Sequence, residues 1–409
     1  MQPEHLLEEA QQLRQRTGIR RRVWLRVHRY VGLGLGLMLA VVGLTGSFLV
    51  FWQPIDAILN PALLQKEQSI CPAGADRPLE ELLDAAEDRM PPNGRISGVM
   101  LSKPERPVLS LQVDVPAPGA DWADRYQLFV NVCTVEITGP RLWEAQKSPL
   151  SGPLMAVVMR FHTSLLLNQR GLWLGNHILS IGSIVLMCGV MSGLYLSWPR
   201  GGRWRSVFDI KHGAGFVRKN LDLHRTTGVC AGVLLLMSLF TGIHMYAPWH
   251  EFINAAVRLL SPATAFGAAG PIALPEHDGA DIGPSKAINI ARDTLPGSVA
   301  ISVGLPAEGR RTYLVNLDTK ASWTTLMTVD ARTGLVLASQ GPQNATAGDS
   351  FLNWLFLLHT GQGFGLVGRV IILGLGLLPT VLFATGAVWW RRKRRARSKQ
   401  AARLVSQRT

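Results

Sequence analysis

The chain has 409 residues, a formal net charge of +14, 47% hydrophobic residues and 17% charged residues. Averages of that kind suit a soluble protein of two or three domains, but their distribution along the chain excludes one. Residues 30–55, 171–199, 226–250 and 370–390 hold no Lys, Arg, Asp or Glu. A helix rises about 1.5 Å per residue, so each run is long enough to cross a bilayer core about 30 Å thick.

The predicted organisation starts with a basic segment, 1–29, a first transmembrane helix, 30–52, and a long polar region, 53–170. A second helix, 171–199, a basic loop, 200–225, and a third helix, 226–248, follow. A second polar region, 249–365, a fourth helix, 366–390, and a basic tail, 391–409, complete the chain. The first run is too long for the hydrophobic part of a signal peptide and no small-x-small site follows Trp52, so it is read as a permanent helix. The three basic segments together carry a net +18, whereas 53–170 and 251–369 together carry −4. The positive-inside rule then places both termini and the 200–225 loop in the cytoplasm, with the two long regions on the far side. The basic tail directly follows a spanning helix and reads as an orientation anchor, not a nucleic-acid surface.

Each long region is predicted to be a small α+β unit. In the first, Leu79–Met90 is helical, Val108–Val115 and Tyr126–Val132 are strands, and Thr138-Gly139 forms a turn. In the second, a helix from Pro284 precedes the strand-like runs Val299–Val303 and Thr312–Asn316 and a strand–turn–strand over Met327–Leu337, turning at Gly334. Of four cysteines, Cys188 and Cys230 fall in spanning runs and read as packing residues. Cys71 and Cys133 share the first outer region, where an oxidising periplasm favours a bridge over two unpaired thiols.

The chain is written twice. Leu25-Arg26-Val27-His28-Arg29 opens the first helix and Leu221-Asp222-Leu223-His224-Arg225 the third. Thr45-Gly46 closes the first and Thr241-Gly242 the third. His162-Thr163 precedes the second helix and His359-Thr360 the fourth, which end on Ser192-Gly193 through Trp198 and on Thr385-Gly386 through Trp390. The fold class is therefore a membrane α-helical protein with four transmembrane helices from an internal duplication.

The Val-Asp-x-x-Thr-Gly turn at 329–334, the two His-Arg helix starts and the two His-Thr motifs resemble the PepSY-associated transmembrane family. That family is similar to iron-regulated inner-membrane proteins and siderophore-reductase-like proteins of Gram-negative bacteria. The resemblance implies two PepSY-like periplasmic domains and a multi-pass location in the bacterial inner membrane. It also implies reduction of a ferric siderophore in iron uptake.

Polar side chains at membrane depth are costly and usually functional. His28 and His224 occupy equivalent places at the cytoplasmic ends of their helices; His162 and His359 do so at the outer ends. Imidazole is a common axial ligand of haem iron, and helix-bundle cores are a usual haem site. Two haem b groups are the expectation, one between His28 and His224, one between His162 and His359, forming a wire across the bilayer. His177 and His244 stand behind these as further candidates for the outer haem or for substrate. No Cys-x-x-Cys-His is present, so c-type attachment is excluded. Gly32, Gly34, Gly36, Gly374 and Gly376 leave room for a macrocycle or for helix packing, and on glycine alone packing is favoured. No flavin or nicotinamide motif is visible, so the electron donor is a separate cytoplasmic protein or quinol. The rival from another class is a non-enzymatic membrane protein whose PepSY-like domains bind a periplasmic partner.

Overall fold

The computed structural model describes residues 3–64, 77–102, 108–116, 123–145, 148–168, 173–199, 202, 204–211, 213–246, 249–262, 279–307, 310–319 and 323–407, with side chains from Gly18 onward. The first half contains α1 (Pro3–Gly34), α2 (Gly36–Leu49), α3 (Trp52–Leu59), α4 (Pro61–Leu64), α5 (Leu79–Glu87), β1 (Arg95–Met100), β2 (Val108–Pro116), β3 (Ala123–Asn131), β4 (Ile137–Glu144), α6 (Leu154–Ser164) and α7 (Leu174–Ser197). The second half contains α8 (Arg205–Phe208), α9 (Phe216–His244), α10 (Trp249–Leu260), α11 (Pro284–Thr294), β5 (Val299–Gly304), β6 (Thr312–Asp318), β7 (Thr325–Asp330), β8 (Val336–Gln340), α12 (Ala347–Thr360) and α13 (Gly365–Ser406). Two compact units emerge: a helical unit of Met1–Val50, Asn176–His250 and Phe356–Thr409, and a sheet unit of Phe51–Gly175 and Glu251–Leu355.

In the helical unit, α7, α9 and the segment Gln362–Ser406 containing α13 are each long and apolar enough to cross a membrane. The first charge-free run differs from the expectation of one straight helix. Gly18–Gly34 and α2 pass the same test only as a pair bent by 54°. The break falls at Leu35, between Gly34 and Gly36, where backbone without Cβ atoms resists bending least. The same lack of Cβ atoms lets α2 and α13 touch: a Cβ built on Gly43 would lie 2.5 Å from the Gly376 carbonyl oxygen, and the reverse distance is also 2.5 Å. The Ser47 hydroxyl donates to the Leu373 carbonyl at 2.8 Å in the same seam. Gly376 thus serves helix packing. Ala231 and Leu235 of α9 bury against Leu375 of α13, while Met38 and Val31 seat against Gly182 and Gly189 of α7. Large apolar side chains point away from the bundle, with Val233 69% and Phe48 58% exposed, as lipid-facing positions require.

The sheet unit holds one eight-stranded antiparallel sheet in the order β4-β3-β2-β1-β5-β6-β7-β8. The two long regions therefore do not form two separate sheets, as the sequence suggested. Each is a four-stranded meander, and the two join through β1 and β5, where Val99 pairs with Val303. An unpaired edge of this kind is a liability, and each meander covers the other's. Strand β1 is absent from the sequence expectation. Both joint strands carry an irregularity at the same place, between Ile96 and Gly98 and between Ala300 and Ser302. Strands β2 and β6 alternate buried and half-buried residues, burying Leu111 and Val113 in one and Val315 and Leu317 in the other. Leu82 and Ala86 of α5 and Ala287 and Ala291 of α11 cover that face. The helices are locked together: Glu80 of α5 accepts from the Ser285 N–H at 2.9 Å and the Ser285 hydroxyl at 2.6 Å at the start of α11. Phe129, on the other face, buries with Val108 and Leu64.

The β7–β8 turn follows the sequence expectation: the Asp330 carboxylate accepts from the N–H groups of Arg332 at 2.8 Å and Thr333 at 2.7 Å, and Gly334 takes φ +73°. The first meander's turn does not lie at Thr138-Gly139, which sits within β4. It lies at Asn131–Val135, where the Asn131 side-chain carbonyl accepts from the N–H groups of Cys133 at 2.9 Å and Thr134 at 3.1 Å. Val135, with φ 58°, occupies the left-handed position that Gly334 fills in the second turn. Cys71 lies outside the described residues, so the expected Cys71–Cys133 bridge does too.

Candidate functional site

Four helices of the helical unit turn a matching stripe toward one cavity. Arg21, Leu25, His28 and Gly32 of α1, Leu186, Gly189, Gly193 and Ser197 of α7, Arg218, Asp222 and Arg225 of α9, and Phe383, Gly386, Trp390 and Arg397 of α13 line it, each set at helical spacing. The cavity measures about 770 Å³, a size usual for small-molecule and cofactor sites. His28 and His224 meet in it with ring centroids 6.0 Å apart and planes at 75°. A metal–imidazole bond of about 2 Å, with about 1 Å more from nitrogen to ring centre, puts two rings that share one metal at about that separation.

The tautomer of each ring follows from its partners. His28 Nδ1 lies 3.0 Å from the Gly189 carbonyl oxygen, which can only accept, so Nδ1 carries the proton. His224 Nδ1 lies 2.9 Å from the Thr385 hydroxyl. That hydroxyl spends its one proton on the Val381 carbonyl at 2.6 Å, so it too accepts from the ring. In both rings Nε2 then keeps its lone pair, the form that ligates a metal. Among the described residues no cluster of three or more His, Cys, Asp or Glu is arranged to hold a metal ion. The site offers two nitrogens, the number a porphyrin leaves for protein ligands.

The cavity wall is strongly cationic. Arg21, Arg29, Arg218, Arg225, Lys393, Arg394 and Arg397 line it, against one carboxylate among the described residues, Asp222. Asp222, 1% exposed, is already engaged by Arg218 at 2.9 Å and Arg225 at 3.7 Å. The Nε atoms of Arg29 and Arg225 are buried without a hydrogen-bond partner among the described residues. Buried donors are rarely left so in a folded protein.

The other candidate histidines are distributed over both units. His359, in the last turn of α12, has Nδ1 3.2 Å from the Ser238 carbonyl and 3.1 Å from the Thr241 hydroxyl of α9. Along α9, Thr241 is about 25 Å from His224. His28 with His224 and His359 thus mark opposite ends of one bundle. His162 lies in the last turn of α6, in the sheet unit. His177 is exposed near the start of α7. His244, the last residue of α9, stacks on His250 with centroids 5.6 Å apart and planes at 15°. His212 and His277 lie outside the described residues.

Sequence reasoning finds the histidines but not their supports. In the sequence Ser192, Thr241 and Thr385 stand only as repeat markers, and Arg29 and Arg225 only as charges. The missed signal is a hydroxyl–glycine pair at each helix end that holds a histidine on the facing helix. A search of curated proteins finds no match to the chain. Across residues 25–393 the chain matches the PepSY-associated TM region. It is a multi-pass membrane protein and belongs to that family.

Proposed function

We propose that the chain is a di-haem b protein of the bacterial inner membrane, arisen by internal duplication, with both termini cytoplasmic. It takes electrons from a cytoplasmic donor or quinol and delivers them in the periplasm to a ferric siderophore for iron uptake. The observation that carries this reading is the His28–His224 pair at 6.0 Å in a cavity whose Arg29 and Arg225 Nε donors have no partner among the described residues. Haem b fits these residues: its iron needs two neutral imidazole nitrogens, its ring needs an apolar slot, and its two carboxylates need buried cations. When bound, the group supplies one-electron transfer. His28 and His224 would hold its iron, and Arg29 and Arg225 would meet its carboxylates. His359 has the same Nδ1-donating geometry and would serve a second haem with His162; His177 and His244 are the alternatives. The ferric siderophore as acceptor rests on the likeness to siderophore-reductase-like proteins. We also propose that Cys71 and Cys133 form a bridge in the oxidising compartment.

The test is colour. The full chain, purified in detergent, should show a Soret band, a pyridine haemochrome near two haems per chain, and a low-spin signal. A colourless, folded protein overturns the reading and leaves a non-enzymatic membrane protein that binds a periplasmic partner.

A further inference from the structure

We infer that Ser192, Thr385 and Thr241 are positioning residues that set the ligand state of the buried histidines; the inference rests on the haem reading above. Three seats share one design. Each hydroxyl hydrogen-bonds back to a carbonyl one turn earlier in its own helix: Ser192 to Gly189 at 2.6 Å, Thr385 to Val381 at 2.6 Å, Thr241 to Met237 at 2.9 Å. The proton is thereby consumed and the free lone pairs point across to a histidine Nδ1. The distances are 3.3 Å for Ser192 to His28, 2.9 Å for Thr385 to His224 and 3.1 Å for Thr241 to His359. A hydroxyl so engaged accepts and does not donate, so the ring's other nitrogen is left deprotonated.

The next residue in each seat is glycine, and the ring lies against it. A Cβ on Gly193 would stand 2.8 Å from His28 Cε1, on Gly386 3.4 Å from His224 Cε1, and on Gly242 3.1 Å from His359 Cε1. The hydroxyl and the neighbouring carbonyl together fix the tautomer, and the glycine fixes the approach of the ring. Thr45 repeats the back-bond, to Val42 at 2.9 Å, and Gly46 follows it in sequence. Each ring also meets the carbonyl three residues before its hydroxyl: Gly189 at 3.0 Å for His28, Ser238 at 3.2 Å for His359, and Leu382 for His224. A stronger acceptor makes an imidazole a better electron donor, so removing Thr385 should raise the midpoint potential of the metal that His224 holds.

The experiment uses the full chain in detergent, comparing wild type with Thr385→Val, Thr385→Ser, Ser192→Ala and, as a control on the same helix, Thr380→Val. Haem retention against a haem-scavenging protein, midpoint potential and low-spin g values are read. Thr385→Val should release haem about 10- to 100-fold more readily and titrate at higher potential. Thr385→Ser should restore both, and Thr380→Val should match wild type. Ser192→Ala should shift the g values, which covers the case in which Thr385→Val does not fold. Wild type that binds haem, with Thr385→Val and Ser192→Ala unchanged in all three readouts, overturns this inference and leaves the haem reading standing. Wild type without haem overturns both.

Discussion

Val99 and Val303 pair directly at the centre of the eight-stranded sheet, one from each half of the chain, with exposures of 2% and 1%. Val99 also pairs with Leu111, and Val303 with Val315, so the joint is packed from both sides. Val99→Ala or Val303→Ala should each cost about 1–3 kcal/mol, read as a lower melting midpoint of the sheet unit. The double variant should depart from additivity, because the side chains touch. Strictly additive costs would show that the joint does not couple the meanders.

Asp56 and Arg141 form a bidentate ion pair, with contacts of 3.1 and 2.9 Å and side-chain exposures of only 4% and 10%. Gln127 also accepts from Arg141 at 2.7 Å, and the guanidinium lies 5.2 Å from the Phe129 ring centre. Asp56→Ala should destabilise by about 3–5 kcal/mol, because it strands a buried cation. Asp56→Leu with Arg141→Met should recover most of that loss. A single variant that melts like wild type would show that water reaches the pair.

The acid limb of stability should trace to the turn carboxylate. Burial acts to raise the Asp330 carboxyl, but the N–H groups of Thr333 and Arg332, the Thr333 hydroxyl and the Arg311 guanidinium outweigh it and hold it below the usual range. A carboxyl lowered on folding stabilises fully above its unfolded-state value, and that stability is lost as pH falls through the folded value. Melting of the sheet unit should therefore be flat near neutral pH and fall in acid. Asp330→Asn should flatten the acid limb; its counterpart Asn131 already carries no charge there. An unchanged acid limb in Asp330→Asn would assign the loss to other carboxyls.

Under the haem reading, His28→Ala and His224→Ala should each remove one haem and block reduction from the cytoplasmic side. His359→Ala and His162→Ala should each perturb the other. The haemochrome ratio and low-spin signal of each variant check this. Retention of two low-spin haems in all four variants would move the ligands to His177 and His244.

Much of this is legible in the sequence because it is local. A charge-free run of bilayer length announces a span wherever it packs, and the repeated His-Arg starts by themselves single out His28 and His224, whose rings meet in the cavity. What escapes the sequence is non-local or breaks a residue rule. The Val99–Val303 joint links strands more than 200 residues apart. The Asn131–Val135 turn is misplaced in the sequence reading because valine stands where a glycine is sought. The bend at Leu35 is hidden because glycines mark packing and bending alike. The hydroxyl seats belong to helices roughly 120 to 160 residues from the histidines they hold.

The shared sheet sets a timetable for synthesis. β1 leaves the ribosome about 200 residues before β5, which at ~5–20 residues per second is roughly 10–40 s of waiting. During that interval the first meander has an open flank and no mate. Until translation delivers its sibling, that flank offers unpaired N–H and C=O groups to any other extended strand.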